Sequence, residues 1–185
     1  KIIITAGGTS ERIDNVRKIT NSSSGKLGMT IANHLLEENN DLMIYYVCSK
    51  NSLRPTDKRV QVVEIDGTID LKNTIEDLLT NEHIDYFIHS MAVSDYMTDY
   101  VTTIDRIKKS ILKHDDIDEA FKNIEVIGGN KISSYEDNLV IDSPTNIFNS
   151  FLSLSLNIFS FPITSVLNLI HNLFISLKLS IISSI

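Results

Sequence analysis

The residues best suited to chemistry lie between Ile13 and Gly28, in the run Ile-Asp-Asn-Val-Arg-Lys-Ile-Thr-Asn-Ser-Ser-Ser-Gly-Lys-Leu-Gly. Arg17, Lys18 and Lys26 supply positive charge, Ser22, Ser23 and Ser24 supply hydroxyls, and Gly25 and Gly28 allow close approach of the backbone. That set suits an anion, and a phosphate better than a carboxylate alone. An apolar run, Lys1 to Ala6, precedes it, and a helical pattern starts near Leu27. The stretch therefore joins a first strand to a first helix. Ligands of open α/β sheets bind there, where strand carboxyl ends meet a helix N-terminus.

The elements that must position these residues follow from the pattern. Lys1–Ala6 reads as a buried parallel strand, and Gly7-Gly8-Thr9 turns the chain, with Ser10, Glu11 and Arg12 continuing the loop. The glycine spacing is not that of the dinucleotide fingerprint, which argues against a dinucleotide-dependent oxidoreductase. A Walker A loop is also excluded, because Leu27 follows Gly25-Lys26. A helix is expected over about Gly25 to Glu38, with Leu27, Ile31, Leu35 and Leu36 on one face and Ser23 or Ser24 as its cap. Its first amides and the serine hydroxyls would face the Gly7-Gly8 turn as a phosphate cradle that needs no metal. An ordinary capped helix after an irregular loop accounts for the same residues equally well.

Further along, Leu42–Cys48 and Val60–Ile65 read as strands, and Asp70–Thr80 as a helix through Leu71, Ile75, Leu78 and Leu79. Tyr46 and Lys50 match a Y-x-x-x-K pair, but from a strand rather than a helix, so the match is chance. Asp85–Ala92 is expected to be strand four. Asp95 falls just beyond its end and is placed for a ligand or for a turn. His89 reads as a satisfied core histidine, since no second His or Cys is spaced to join it at a metal. Met97–Asn130 is polar, with helical fragments around Ile104–Leu112 and Ile117–Phe121, and reads as an excursion closed by Gly128-Gly129-Asn130. Lys108, Lys109 and Lys113 form a solvated face, and Leu139–Ile141 is a further strand.

Composition narrows the function classes. The 185 residues suit one domain, and the net charge of −7 argues against a nucleic-acid partner. Cys48 is the single cysteine and sits in an apolar run, which excludes a disulfide framework and predicts a buried thiol. With the first strand starting at once, a cytoplasmic location is expected. Beyond Asp142 the only charged side chain is Lys178, which makes 143–185 an atypical low-complexity apolar tail. It alternates like a strand from Leu152 to Ile158 and recurs like an amphipathic helix from Val166 to Leu177. Pro162, His171 and the Asn and Ser residues break any clean run of about 20 apolar residues, so no membrane partner is expected.

Taken together, three ordered blocks resemble the phosphopantothenate–cysteine ligase (phosphopantothenoylcysteine synthetase) family, in its free-standing bacterial wording. They are Gly7-Gly8-Thr9 with Ile13-Asp14-x-Val16-Arg17-x-Ile19-Thr20-Asn21 and Ser23-Ser24-Gly25-Lys26-Leu27-Gly28; then Met91-Ala92-Val93-Ser94-Asp95-Tyr96; then Lys131-Ile132. The resemblance covers about residues 1–141. It implies a Rossmann-like three-layer α/β sandwich with a mainly parallel sheet and a flap excursion at about 97–131, within a ligase domain of 1–142. It also implies a reaction in coenzyme A biosynthesis: phosphopantothenate attacks CTP, with Mg2+, to give an acyl-cytidylate, and the cysteine amine then displaces CMP.

The resemblance carries roles onto matching positions. Asn21 would contact the pantothenate part and steady the acyl-cytidylate, with Arg17 near the same site. Gly7, Gly8, Ser23, Ser24, Gly25 and Gly28 would hold phosphates, and Met91, Ala92 and Asp95 would line the nucleotide and substrate. Lys131 would be the flap lysine closing over the intermediate, with no protein metal ligand and a homodimer expected. After Leu139–Ile141 the family's later base-contacting segments, including a Gly-Phe strand and an Ala-Asn-Asp turn, have no counterpart. A catalytically incomplete module that binds nucleotide or phosphopantothenate is therefore the alternative. The tail then either patches the sheet with a strand–helix unit or is foreign to the family's C-terminus.

Overall fold

A computed structural model describes residues 1–128, 131–136 and 138–144. In chain order its elements are β1 (Ile2–Ala6), β2 (Ser10–Arg12), β3 (Lys18–Thr20), α1 (Lys26–Glu38), β4 (Ile44–Ser49), β5 (Val60–Ile65), α2 (Thr68–Asn81), β6 (Tyr86–His89), β7 (Tyr100–Thr103), α3 (Ile104–Lys113), α4 (Ile117–Lys122) and β8 (Leu139–Asp142). The strand and helix expected between Leu152 and Leu177 lie outside the described residues, as do Gly129 and Asn130 of the expected closing turn.

The main sheet has the order β5-β4-β1-β6 and is parallel throughout. β1 is buried along its whole length, as its Ile-Ile-Ile-Thr-Ala sequence requires of a central strand covered on both faces. Ile2, Ile4 and Ala6 pack with Ile44, Tyr46 and Cys48 against Ala32, Leu35 and Leu36 of α1. The alternate residues Ile3, Thr5, Tyr45 and Val47 point to the opposite face and are also buried, as are Leu71, Ile75 and Leu78 of α2. For this strand order the right-handed rule for parallel crossovers puts α1 and α2 on opposite faces, the Rossmann-like arrangement expected.

Four local features differ from the sequence reading. Leu27 is 59% exposed, and the inward face of α1 is instead Gly28, Ala32, Leu35 and Leu36. The cause is close approach: a Cβ on Gly28 would lie 2.6 Å from Ala6 Cβ and 2.8 Å from Ser90 Oγ, so the helix sits on β1 only with glycine there. The cap position of α1 is Gly25, in the left-handed region at φ 73, rather than Ser23 or Ser24, although Ser24 Oγ accepts from the Lys26 amide at 3.4 Å. Strand pairing of β6 stops at His89, and Ala92 rejoins the sheet only through a parallel bridge to Gly8. Finally, the loop after Gly8 contains the antiparallel hairpin β2–β3.

Polar contacts from distant residues fix these pieces. The C-terminus of α1 is capped by Arg59, whose guanidinium donates to the carbonyls of Leu36 (3.0 Å) and Asn39 (2.7 Å) while Asp57 holds it at 2.7 Å. The hairpin docks on the β5–α2 turn. There Lys18 Nζ reaches both Asp66 carboxylate oxygens at 2.6 Å, and Glu11 Oε1 accepts from the Thr68 amide and hydroxyl at 2.8 and 2.6 Å. Glu11 thus satisfies an end amide of α2, which lets the helix start at Thr68, two residues before the expected Asp70. The excursion after Met97 holds α3 and α4 and closes on itself through the antiparallel pair β7–β8, and Lys108, Lys109 and Lys113 are exposed as expected.

Candidate functional site

In the order β5-β4-β1-β6 the chain turns one way from β1 to β4 and arrives at β6 on the other side. The crevice at the carboxyl ends of β1 and β6 is the topological switch point of the sheet. Gly7-Gly8 leaves β1 there and Ser90-Met91-Ala92 leaves β6. Gly7 has φ 87, a conformation natural to glycine, and it nestles against the hydroxyls of Ser49 and Ser52. Those hydroxyls bond each other at 2.7 Å. Gly25 stands beside it: a Cβ on Gly25 would lie 3.3 Å from the Gly7 nitrogen.

This contact brings the N-terminus of α1 to the switch point. The cap residue Gly25 offers no side chain, the Lys26 amide makes only a long 3.4 Å bond to Ser24 Oγ, and the first turn carries no acidic residue. Its amides are thus disposed to receive an anion, with the helix dipole favouring negative charge. Tyr46, buried in β4, anchors the turn by donating its hydroxyl to the carbonyls of Gly25 (3.3 Å) and Leu53 (3.0 Å). Ser24 contributes its carbonyl to the Leu53 amide at 2.9 Å, and the Ser23 amide donates to the Asn21 carbonyl at 2.9 Å.

Asn21 is seated by a continuous backbone ladder. The Ala92 amide donates to Gly7 (2.8 Å), the Thr9 amide to Ala92 (3.1 Å) and the Asn21 amide to Thr9 (3.1 Å). Asn21 Nδ2 then donates to the Ala92 carbonyl at 3.2 Å. Gly8 is pressed onto the Asn21 backbone carbonyl with no room for a Cβ. The carboxamide is therefore aimed by β1, β3 and the β6 loop at once. Among the described residues its second Nδ2 proton and its Oδ1 have no partner.

Arg17 precedes β3, whereas Asn21 follows it, so the strand sets them roughly 13 Å apart. The Arg17 guanidinium is held by Asp14, Nη1 to Oδ2 at 2.6 Å. Asp14 closes the hairpin turn with its other oxygen, which accepts from the amides of Val16 (2.7 Å) and Arg17 (2.6 Å). Oδ2 also accepts from the Ile132 amide at 3.0 Å, and Arg17 Nη1 donates to the Ile132 carbonyl at 3.3 Å. Both backbone polar groups of Ile132 are thereby held by the hairpin, and exposed Lys131 is brought next to Arg17. Burial pushes the Asp14 carboxyl up, but the donors from Ile132, Val16 and Arg17 outweigh it and hold it at about 2. Its side chain is 1% exposed.

Asp14 is the member of the site that sequence reasoning passed over. The available signal was Asp14 with amides two and three residues on, the pattern of an Asx turn. Of the other expected residues, Met91 is buried, Ala92 joins the ladder through its backbone, and Asp95 is exposed beyond the β6 loop. Cys48 is buried, and burial pushes its thiol up, as expected of a structural cysteine. His89 Nδ1 lies 2.7 Å from Thr5 Oγ1 and desolvation lowers its pKa, but the residue is exposed at the end of β6, so it is not the core histidine expected. Among the described residues no three His, Cys, Asp or Glu side chains gather as a metal site. Among them, too, no helix is long and apolar enough to cross a membrane.

The fold defines a Rossmann-like α/β domain whose parallel sheet has its switch-point crevice between β1 and β6, beside the N-terminus of α1. Residues 1–127 match the DNA/pantothenate metabolism flavoprotein C-terminal domain, and the chain belongs to that family. The coenzyme A biosynthesis bifunctional protein CoaBC of Escherichia coli (strain K12) is 32% identical over 129 residues, 69% of this chain and 30% of that protein. CoaBC of Vibrio vulnificus (strain YJ016) is 34% identical over 118 residues, 64% of this chain and 27% of that protein. A solved structure, the DNA/pantothenate metabolism flavoprotein from Streptococcus pneumoniae, superposes with a TM-score of 0.61 at 32% identity, over 80% of this chain and 60% of that one. The chain thus spans about a third or less of the length of these curated relatives.

Proposed function

We propose that this domain binds phosphopantothenate at the β1–β6 switch point and joins it to cysteine, a step of coenzyme A biosynthesis. The observation that carries the reading is the ladder from Gly7 through Ala92 and Thr9 to Asn21, which aims one carboxamide at the crevice beside the N-terminus of α1. Membership of the DNA/pantothenate metabolism flavoprotein family, and likeness to proteins named for coenzyme A biosynthesis, supply the substrate class.

In this reading the amides of Gly25–Gly28 and the hydroxyls of Ser23 and Ser24 hold phosphate oxygens of CTP. Magnesium would arrive with the triphosphate. The carboxylate of phosphopantothenate attacks the α-phosphorus, pyrophosphate leaves, and an acyl-cytidylate results. The amine of cysteine then attacks the acyl carbon and CMP departs. Asn21 donates its remaining Nδ2 proton to oxygen at the acyl centre, where negative charge develops, without itself losing a proton. Arg17, roughly 13 Å along β3, addresses another part of the extended substrate. Lys131 adds a second cation beside it. Met91, Ala92 and Asp95 line the crevice from the β6 side, and a second copy of the chain would complete a homodimer.

A binding module without turnover is the second reading. It is favoured by the residues after Asp142, whose only charged side chain is Lys178 and which lack the Gly-Phe strand and Ala-Asn-Asp turn expected of the ligase. Incubation with CTP, magnesium, phosphopantothenate and cysteine separates the two. Pyrophosphate released in step with cysteine consumption is expected of the ligase. Phosphopantothenate binding without pyrophosphate release would establish the module and refute turnover.

A further inference from the structure

Asp14 is a charged side chain in a turn, yet it is nearly sealed from water and satisfied by four donors. A surface turn needs only the two bonds to Val16 and Arg17. The other oxygen reaches 118 residues along the chain, to the amide of Ile132, and carries the Arg17 guanidinium on the same atom. Arg17 returns to the Ile132 carbonyl, so one peptide unit is pinched between an anion and a cation. Ile132 is itself 2% exposed, which keeps water from competing for these bonds.

We infer that Asp14 is a positioning residue, which orients Arg17 toward phosphopantothenate and seats the segment beginning at Lys131 against the hairpin in one arrangement. The inference rests on the proposed function for the identity of the ligand, but the clamp itself is read from the geometry. Nη1 is consumed by Asp14 and Ile132. Nε and Nη2 of Arg17 have no partner among the described residues and are the donors left for the substrate. Without the carboxylate, the guanidinium loses its anchor and the Ile132 amide loses its acceptor. Both cations, Arg17 and Lys131, then lose their fixed places together.

The test uses the full chain and its Asp14→Asn, Asp14→Glu and Arg17→Ala variants. Phosphopantothenate affinity is measured by titration calorimetry, and exchange of the Ile132 amide by NMR. Asparagine retains an acceptor for the turn amides and presents N–H to Arg17 and Ile132, where two donors would meet. Asp14→Asn is expected to weaken phosphopantothenate binding about tenfold and to speed Ile132 exchange at least about tenfold. Asp14→Glu, which keeps the charge, should recover part of both. In the Arg17→Ala background, Asp14→Asn should cost little further affinity, because its effect on binding runs through Arg17. A variant that folds and binds normally while Ile132 exchanges fast would reduce Asp14 to a structural role and overturn the proposal. Equal losses of affinity in both backgrounds would do the same. If Asp14→Asn does not fold, the Arg17→Ala variant alone decides: unchanged Ile132 exchange there overturns the clamp. If the unsubstituted chain binds no phosphopantothenate, the proposed function falls, and the exchange rates still decide the clamp.

Discussion

Two parts of the candidate site are held in contrasting ways. The crevice at β1 and β6 is fixed by shape: glycines lie against backbone and small side chains, and a ladder of neutral amide bonds leads to Asn21. The hairpin and the segment at Lys131 are fixed by charge, through one buried carboxylate and the guanidinium it carries. Shape-held parts fail when atoms are added and are indifferent to pH. Charge-held parts tolerate changes of volume and fail when the proton count changes. A ligand that reached from Asn21 to Arg17 would bridge the two regimes.

Adding atoms to the shape-held half should have the largest effect. A Gly8→Ala side chain would meet the Asn21 carbonyl, so the ladder must break or the loop must move. A loss of about 3 kcal/mol or more is expected, read by urea unfolding, together with loss of phosphopantothenate binding. Gly28→Ala is milder, because its nearest atom, Ala6 Cβ, would lie at 2.6 Å against 2.1 Å for the Asn21 carbonyl at Gly8; about 1–3 kcal/mol is expected in the same measurement. Equal tolerance of both substitutions would show that the crevice is not held by shape.

Next comes the proton. The Asp14 carboxyl sits at about 2 in the folded chain against an ordinary value of 3.8, so the unfolded chain binds its proton first. Its stabilising contribution is full above about pH 4 and is lost as pH falls through that value toward 2. Asp14→Asn should therefore lower stability at pH 7 and flatten the acid limb of a stability–pH curve. The slope that remains belongs to carboxylates such as Asp57, which the Arg59 guanidinium also holds at about 2. An unchanged acid limb in Asp14→Asn would contradict the charge-held account.

The smallest effect on stability is expected at Lys131, which is exposed. Lys131→Ala should change unfolding free energy by no more than about 0.5 kcal/mol while lowering the rate of product formation. If the rate is untouched, Lys131 has no part in the site.

How much of this was legible in the sequence follows the same division. β1, both main helices and the switch-point glycines were readable because apolar periodicity and Gly-Gly pairs are local signals. The hairpin β2–β3 was not, since its strands are three residues long, polar and largely exposed, and their partners Asp66 and Thr68 lie some fifty residues away. Leu27 fitted the helical period but faces outward, because the period cannot reveal that Ala6 presses on Gly28. Asp14 carries no local signal beyond that of a turn aspartate, and only the fold shows that Ile132 completes its shell.

The central claim is that the crevice beside Asn21 receives phosphopantothenate. Titration calorimetry of the full chain with phosphopantothenate, with Asn21→Ala alongside, tests it most directly. The account predicts one-to-one binding that weakens at least about tenfold in the variant, where the aimed donor is gone. No heat from the unsubstituted chain, or equal affinity in the two proteins, would contradict it.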